Sequence, residues 1–246
     1  MTYCIGMLNK EGIVGIADTR ITSGNDTTVA KKIYSVQRTN HAFFIMTSGL
    51  RSVRDKAITY FGEVIDSEDH QFKKLHQAVN KFGEQVKRVS REDREELEKS
   101  ALNFNLHAIV GGQLEEDAEP ELFLLYPQGN WIRVGKGTPY VIIGNSGFGT
   151  PVLKRSYSFE SSMDFSLKSG FLSFDATRIS ANDVDYPIDT IILRNNEFRL
   201  KEKRFEEKDL GHISDFWNSK LKEAIGNLPT GALELALDPL PATHEV

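Results

Sequence analysis

The apolar positions of the first fifty residues fall in short runs rather than on a helical period. Residues 3–8 are an apolar run, residues 9–12 (Asn-Lys-Glu-Gly) have turn composition, and residues 13–17 are a second apolar run. Together they predict a β-hairpin. Residues 22–28 are polar and predict a loop. Residues 33–36 and 42–46 predict another pair of strands, parted by the polar residues 37–41. The period then changes. Leu50, Val53, Ala57, Ile58, Phe61, Val64 and Ile65 fall on one helical stripe. Phe72, Leu75, Val79, Phe82, Val86 and Val89 step by 3 and 4, the mark of a second amphipathic helix. Residues 90–100 are a charge run, read as the solvated end of that helix.

Strand patterns return at residues 106–110, 122–126, 131–134 and 140–143, with Gly, Pro and Asn between them. Helical patterns follow at 151–157 and 165–179. Residues 188–193 and 198–203 predict a late hairpin around Asn195-Asn196. A last helix is expected over 210–225, with Ile213, Phe216, Trp217, Leu221 and Ile225 on its apolar face. This order is not the strict alternation of a doubly wound parallel sheet. It predicts an α+β fold: two antiparallel sheets packed face to face, with helices on both outer faces. Neither a repeat nor a linker interrupts the chain. One domain is therefore expected over 1–227, followed by a loosely held tail at 228–246.

Composition narrows the function classes. With 30 Lys+Arg against 35 Asp+Glu, the formal charge of −5 argues against a nucleic-acid partner. No run approaches the roughly 20 apolar residues of a membrane span, and the opening residues lack the pattern of a signal peptide. The single cysteine, Cys4, cannot form an internal disulfide, and a cytoplasmic location is expected. Phosphate-loop and zinc-protease motifs are absent. The glycine-rich GNSGFG of residues 144–149 lacks the spacing of a dinucleotide fingerprint. His70 and His76 are not at a helical ligand spacing, so no metal is expected. Cys4 has no evident His partner and is read as a small core residue.

The feature that carries chemistry is Thr2. Removal of Met1 would leave a hydroxyl and a free α-amine on one residue. The reference pKa of such an amine, about 7.7–8.0, suits a general base. N-terminal threonines activated by their own amine are a known nucleophile type. Asp18-Thr19-Arg20 closes the second predicted strand beside the start of the first, and Lys32-Ile33 opens the third. A lysine near Thr2 would stabilise a developing alkoxide, and an aspartate would hold that lysine charged and aimed. A surface ion pair is the plainer reading of each.

Read together, Thr2, Asp18-x-Arg20, Lys32-Ile33 and Ser48-Gly49 resemble the proteasome β-subunit family. The opening MTYCIGML, the ADTR segment and SFDATRISANDVDYPID look particularly like a bacterial homologue of the proteasome, and the resemblance runs to about residue 225. It implies the four-layer αββα sandwich of N-terminal-nucleophile hydrolases. It implies Thr2 as nucleophile, Asp18 as the residue orienting Lys32, and the Gly49 N–H as oxyanion donor. Ser146 matches the serine that bonds the Thr amine, and Asp183 the aspartate that supports it. The family's following serine has no counterpart, because Tyr186-Pro187 occupies that neighbourhood. Ile21, Ala30, Thr47 and Arg51 fall near the family's substrate pocket, a mixed set that names no substrate, and Arg51 is read as an exposed helix-start residue.

The expected function is therefore a threonine peptidase acting on a peptide or protein, without a cofactor, as a homo-oligomeric ring or ring-like spiral. The stripes of the first two helices are the sequence feature taken to support subunit contacts. Two alternatives stand beside it. One is a catalytically silent assembly protein. The other is an amidase acting on small or cross-linked amides.

Overall fold

The computed structural model describes residues 2–23, 26–68 and 71–231. Strands β1 (Tyr3–Asn9) and β2 (Gly12–Asp18) form the expected hairpin. They are followed by β3 (Arg20–Ser23), β4 (Asp26–Val29), β5 (Ile33–Gln37) and β6 (Ala42–Gly49). Helices α1 (Arg51–Glu68) and α2 (Leu75–Lys99) come next. Then come strands β7 (Leu106–Gln113), β8 (Glu121–Leu125), β9 (Trp131–Arg133) and β10 (Tyr140–Gly144). Helices α3 (Thr150–Ser156) and α4 (Met163–Arg178) precede the hairpin of β11 (Ile188–Arg194) and β12 (Leu200–Phe205). The final helix is α5 (Glu207–Gly226).

The strands form two five-stranded sheets, ordered β10-β1-β2-β11-β12 and β5-β6-β7-β8-β9, and every described pairing is antiparallel. The sheets face each other across one apolar cluster. Cys4, Leu8, Ile13 and Ala17 from the first sheet meet Phe44, Met46, Ile109 and Leu122 from the second. The approach is close at Gly6, where a Cβ would lie 2.8 Å from Ile109. The other face of the second sheet is covered by α1 and α2 through Val53, Ala57, Phe61, Val79, Phe82 and Val86. The other face of the first sheet is covered by α4, whose Gly170 lies against Ile16 and Met7. The layers are thus αββα, as expected. β1 and β2 have buried side chains at every position because both of their faces are covered.

Three expectations need correction. Residues 22–28 are not simply a loop, because β3 and β4 pair as a two-stranded ribbon. The ribbon is polar and Thr-rich, so it carries no alternation from which to read strands. The stripes of α1 and α2 are used inside the chain: Val53, Ala57, Phe61, Phe82, Val86 and Val89 are all fully buried. They do not supply the subunit surface expected of them. The late hairpin has a wider turn, with Asn196 and Phe198 at positive φ, so β12 begins at Leu200 rather than 198.

The chain up to Asp209 is one compact unit, and the residues from Leu210 onward belong to a second. The tail expected over 228–246 lies outside the described residues beyond Gly231. No described helix is long and apolar enough to cross a membrane.

Candidate active site

Thr2 stands one residue before β1 and is nearly buried. Its carbonyl accepts a hydrogen bond from the Asn145 N–H at 2.8 Å, which extends the ladder between β1 and β10 by one step. Between these strands Gly144 adopts φ +85°, and a Cβ there would run into the Thr2 carbonyl and approach Ser48 Oγ. Glycine is required on both counts, conformation and space. Gly144→Val is expected to destabilise the protein by at least about 2 kcal/mol, through left-handed strain plus the clash. Thermal denaturation checks this, and an unchanged Tm would refute it.

β2 runs antiparallel to β1, so its last residue, Asp18, arrives beside the first residues of β1. Asp18 Oδ1 accepts from the Tyr3 N–H at 2.8 Å and from Lys32 Nζ at 2.7 Å. Lys32 also donates to the Arg20 carbonyl at 2.7 Å. The backbone closes this arrangement, since the Ala30 N–H donates to the Thr19 carbonyl and brings the far end of the β3–β4 ribbon back toward Asp18. The side chains of Lys32 and Asp18 are 3% and 0% exposed. Adjacent Lys31 is half exposed and pairs instead with Glu202, so only Lys32 is delivered to the start of β1.

The pair is electrostatically costly. Removing two charges from water costs several kcal/mol each, which their attraction offsets only with good geometry. Here Asp18 Oδ2 is buried with no hydrogen-bond partner among the described residues. Burial accordingly pushes the Asp18 carboxyl up to about 6, against the downward pull of Lys32 and the Tyr3 N–H.

Gly49 ends β6 at φ +140°, with its Cβ direction blocked by the Asn105 carbonyl. Ser48, the residue before it, approaches Gly144, which itself packs on Thr2. The end of β6 and the start of β1 are thereby neighbours across the two sheets. Ser146 is exposed one residue beyond Asn145. Its carbonyl accepts from the N–H and the hydroxyl of Thr150, which folds residues 146–150 into the entry of α3. Asp183 is half-buried in the segment between α4 and β11. That segment is docked on the site's frame. The Pro187 carbonyl accepts from both the N–H and the hydroxyl of Thr19, and Asp185 pairs with Arg20 at 3.0 Å. Tyr186 packs edge-on against Phe174 at 5.2 Å, with the Arg178 guanidinium 5.4 Å from its ring, so an aromatic side chain fills that neighbourhood.

Of the four pocket candidates, Ile21 and Ala30 are partly buried. Thr47 is buried, and its hydroxyl has no hydrogen-bond partner among the described residues. Arg51 is exposed at the start of α1 beside Asp55, as the sequence reading holds. Cys4 is buried between the sheets, a core residue as expected. Among the described residues no group of His, Cys, Asp and Glu is placed to hold a metal, and His70 lies outside them. Sequence reasoning missed Tyr3. Its N–H binds Asp18, and its hydroxyl donates to Ser173 of α4 at 2.6 Å, which anchors the residue after Thr2 from both ends. The available signal was a large polar-tipped aromatic at the head of an apolar strand.

A family model described as "Proteasome subunit" matches residues 2–170, more than half of the chain. The chain belongs to the proteasome subunit family. The match begins at Thr2 and takes in Asp18, Lys32, Gly49 and Ser146, and the αββα architecture is the proteasome-subunit fold. Solved structures of Anbu are similar throughout. An Anbu mutant from Hyphomicrobium sp. strain MC1 is 26% identical with a TM-score of 0.87, covering 93% of this chain and 98% of its own. Anbu from Yersinia bercovieri, described as an ancestral beta-subunit, is 23% identical with a TM-score of 0.86, covering 92% and 97%. Anbu from Pseudomonas aeruginosa, solved as a helical assembly, is 22% identical with a TM-score of 0.85, covering 99% and 100%. No curated protein matches the chain.

Proposed function

We propose that this proteasome-family subunit is a threonine-type peptidase in which Thr2, freed by removal of Met1, is the nucleophile. The observation that carries the reading is the buried Lys32–Asp18 pair, hydrogen-bonded to the N–H of Tyr3 directly after Thr2. A charged pair placed where burial is costly, bonded to the residue that follows a candidate nucleophile, is the kind of perturbed group that marks catalytic sites.

In this mechanism the α-amine of Thr2 takes the proton of its own hydroxyl, and Oγ1 attacks the carbonyl carbon of a peptide bond. The oxyanion that forms accepts a hydrogen bond from the Gly49 N–H, and the charge of Lys32 lowers the energy of the alkoxide. The protonated amine gives its proton to the leaving nitrogen, and the tetrahedral adduct collapses to an ester of Thr2. Water, deprotonated by the same amine, then attacks the ester and regenerates the hydroxyl. Asp18 keeps Lys32 charged and aimed, while Ser146 and Asp183 hold the amine. The residues supply all of these roles without a cofactor. A cytoplasmic, homo-oligomeric protein is the setting we propose, supported by the helical assembly of the Pseudomonas protein.

The decisive comparison uses two forms verified by intact mass, one retaining Met1 and one trimmed. In the first, the Thr2 nitrogen is a planar amide without a basic lone pair. Only the trimmed form is expected to cleave a peptide library and to be labelled by a threonine-reactive electrophile. Equal labelling of both forms would overturn the mechanism.

The pH dependence has two opposed signs. Ionised Asp18 is the working form, so activity is expected to fall with an added proton as pH drops through about 6. For stability the sign reverses. The folded-state pKa of Asp18 is raised above its ordinary 3.8, so the stability contributed by its protonated form is fully present below 3.8 and is lost as pH rises through about 6. Asp18→Asn should remove both effects. A variant that keeps the acid limb of the rate profile would show that another group is responsible.

A further inference from the structure

Ser173 of α4 touches both of the segments that meet at Thr2. Its Oγ accepts the hydroxyl proton of Tyr3 at 2.6 Å, and both residues are fully buried. The same Oγ stands where a side chain at residue 149 would begin. A Cβ on Gly149 would run into it and lie 2.8 Å from the Ser173 carbonyl. Gly149 ends the segment that starts at Asn145 and carries Ser146. That segment is braced at both ends. The Asn145 N–H is bonded to the Thr2 carbonyl, and the Ser146 carbonyl accepts from the N–H and hydroxyl of Thr150.

These contacts close a ring. It runs from the Thr2 carbonyl to Asn145, along the chain through Ser146 to Gly149, across to Ser173 Oγ, and back through the Tyr3 hydroxyl to the residue after Thr2. Ser173 belongs to neither segment and is itself held. The Thr177 hydroxyl donates to its carbonyl at 2.9 Å, and its neighbour Phe174 packs edge-on against the Tyr3 ring at 6.0 Å. An alanine would suit the helix better and bury no polar atom, so the hydroxyl at this position answers a need outside α4.

We infer that Ser173 is a positioning residue: its hydroxyl sets how the Ser146 segment stands relative to Thr2, and thereby seats the α-amine that acts as base. The inference rests on the threonine-peptidase reading, in which Ser146 holds that amine. The rival role is purely structural, a partner for the Tyr3 hydroxyl. The two roles separate in kinetics. Ser173 is closed off from substrate, so replacing it removes no binding contact. A misplaced amine slows proton transfer and leaves binding alone.

The test uses the full chain after verified removal of Met1. Ser173→Ala withdraws the Oγ from Gly149 and leaves the Tyr3 hydroxyl buried without a partner. Its kcat is expected to fall by about 10- to 10²-fold with KM unchanged, the scale of a small misplacement of reacting groups. Labelling of Thr2 by an electrophile should slow in step, and Tm should drop. Tyr3→Phe/Ser173→Ala removes both partners of the buried bond, so it should regain most of the lost Tm while kcat stays low. Gly149→Ala crowds the same contact from the other side and should show the same loss of kcat at unchanged KM. A parent chain that neither cleaves a peptide library nor is labelled would overturn the threonine-peptidase reading, and this inference with it. With an active parent, an unchanged kcat in folded Ser173→Ala would overturn the positioning role alone. A double variant that regains kcat together with Tm would do the same, because the hydroxyl would then serve stability only. If Ser173→Ala does not fold, a parental kcat in the double variant or in Gly149→Ala refutes the inference equally.

Discussion

Thr2→Ala is expected to abolish peptide hydrolysis and labelling by threonine-reactive electrophiles, while fold and oligomeric mass are unchanged. Removal of a covalent nucleophile leaves only binding and oxyanion stabilisation, so the loss should be at least about 10⁴-fold. The fold should survive because residue 2 is seated by its backbone, through the carbonyl bonded to Asn145. Alanine keeps that group. Thr2→Ser retains hydroxyl and amine and should keep measurable activity. Assay of all three chains after verified removal of Met1 is the check. Unchanged turnover in Thr2→Ala would sink the proposed mechanism.

Lys32→Met should cost about 10²–10³ in rate, the usual effect of losing one preorganised electrostatic group. It should also destabilise the fold. With Lys32 gone, Asp18 is left buried with a charge answered only by the Tyr3 N–H, and breaking a buried pair typically costs about 3–5 kcal/mol. Protonation of Asp18 limits that penalty at low pH. The two effects are separable. Lys32→Met/Asp18→Asn removes the orphaned charge and should recover much of the stability but none of the rate. If the double variant regains activity as well, Lys32 acts only by supporting the fold. Lys31→Ala, at a half-exposed position facing Glu202, should change neither quantity.

These expectations combine what was legible in the sequence with what was not. The β1–β2 hairpin was legible because two apolar runs flank a turn of the right composition, and the position of Asp18 follows from it once Thr2 is placed; Lys32 was picked out only through the family resemblance, because the ribbon that returns it to Asp18 was not legible. The β3–β4 ribbon was hidden because its polar, Thr-rich sequence shows no apolar alternation. Amphipathic stripes misled in a different way. A period of 3 and 4 states that one face of a helix is covered, and it is silent on whether the cover is intramolecular. Phe61 and Phe82, packed edge to face at 5.3 Å inside the core, have the same sequence signature as Leu221 and Ile225, which are exposed. The docking of Pro187 on Thr19 and the pairing of Arg20 with Asp185 were out of reach because their partners are separated by about 165 residues of chain.

The bond from Tyr3 to Asp18 has a genetic consequence. Its donor is a backbone N–H, present in every amino acid but proline, so side-chain replacement at codon 3 leaves that donor in place. Codons 18 and 32 have no such latitude, since both of their contributions come from side-chain atoms. Saturation mutagenesis of the three codons, scored for turnover, should therefore return at position 3 the large aromatic and apolar residues that can fill the buried Tyr3 site, with proline excluded, and almost none at 18 or 32. As the chain drifts, the nucleophile's surroundings offer mutation a smaller target than their number of hydrogen bonds suggests.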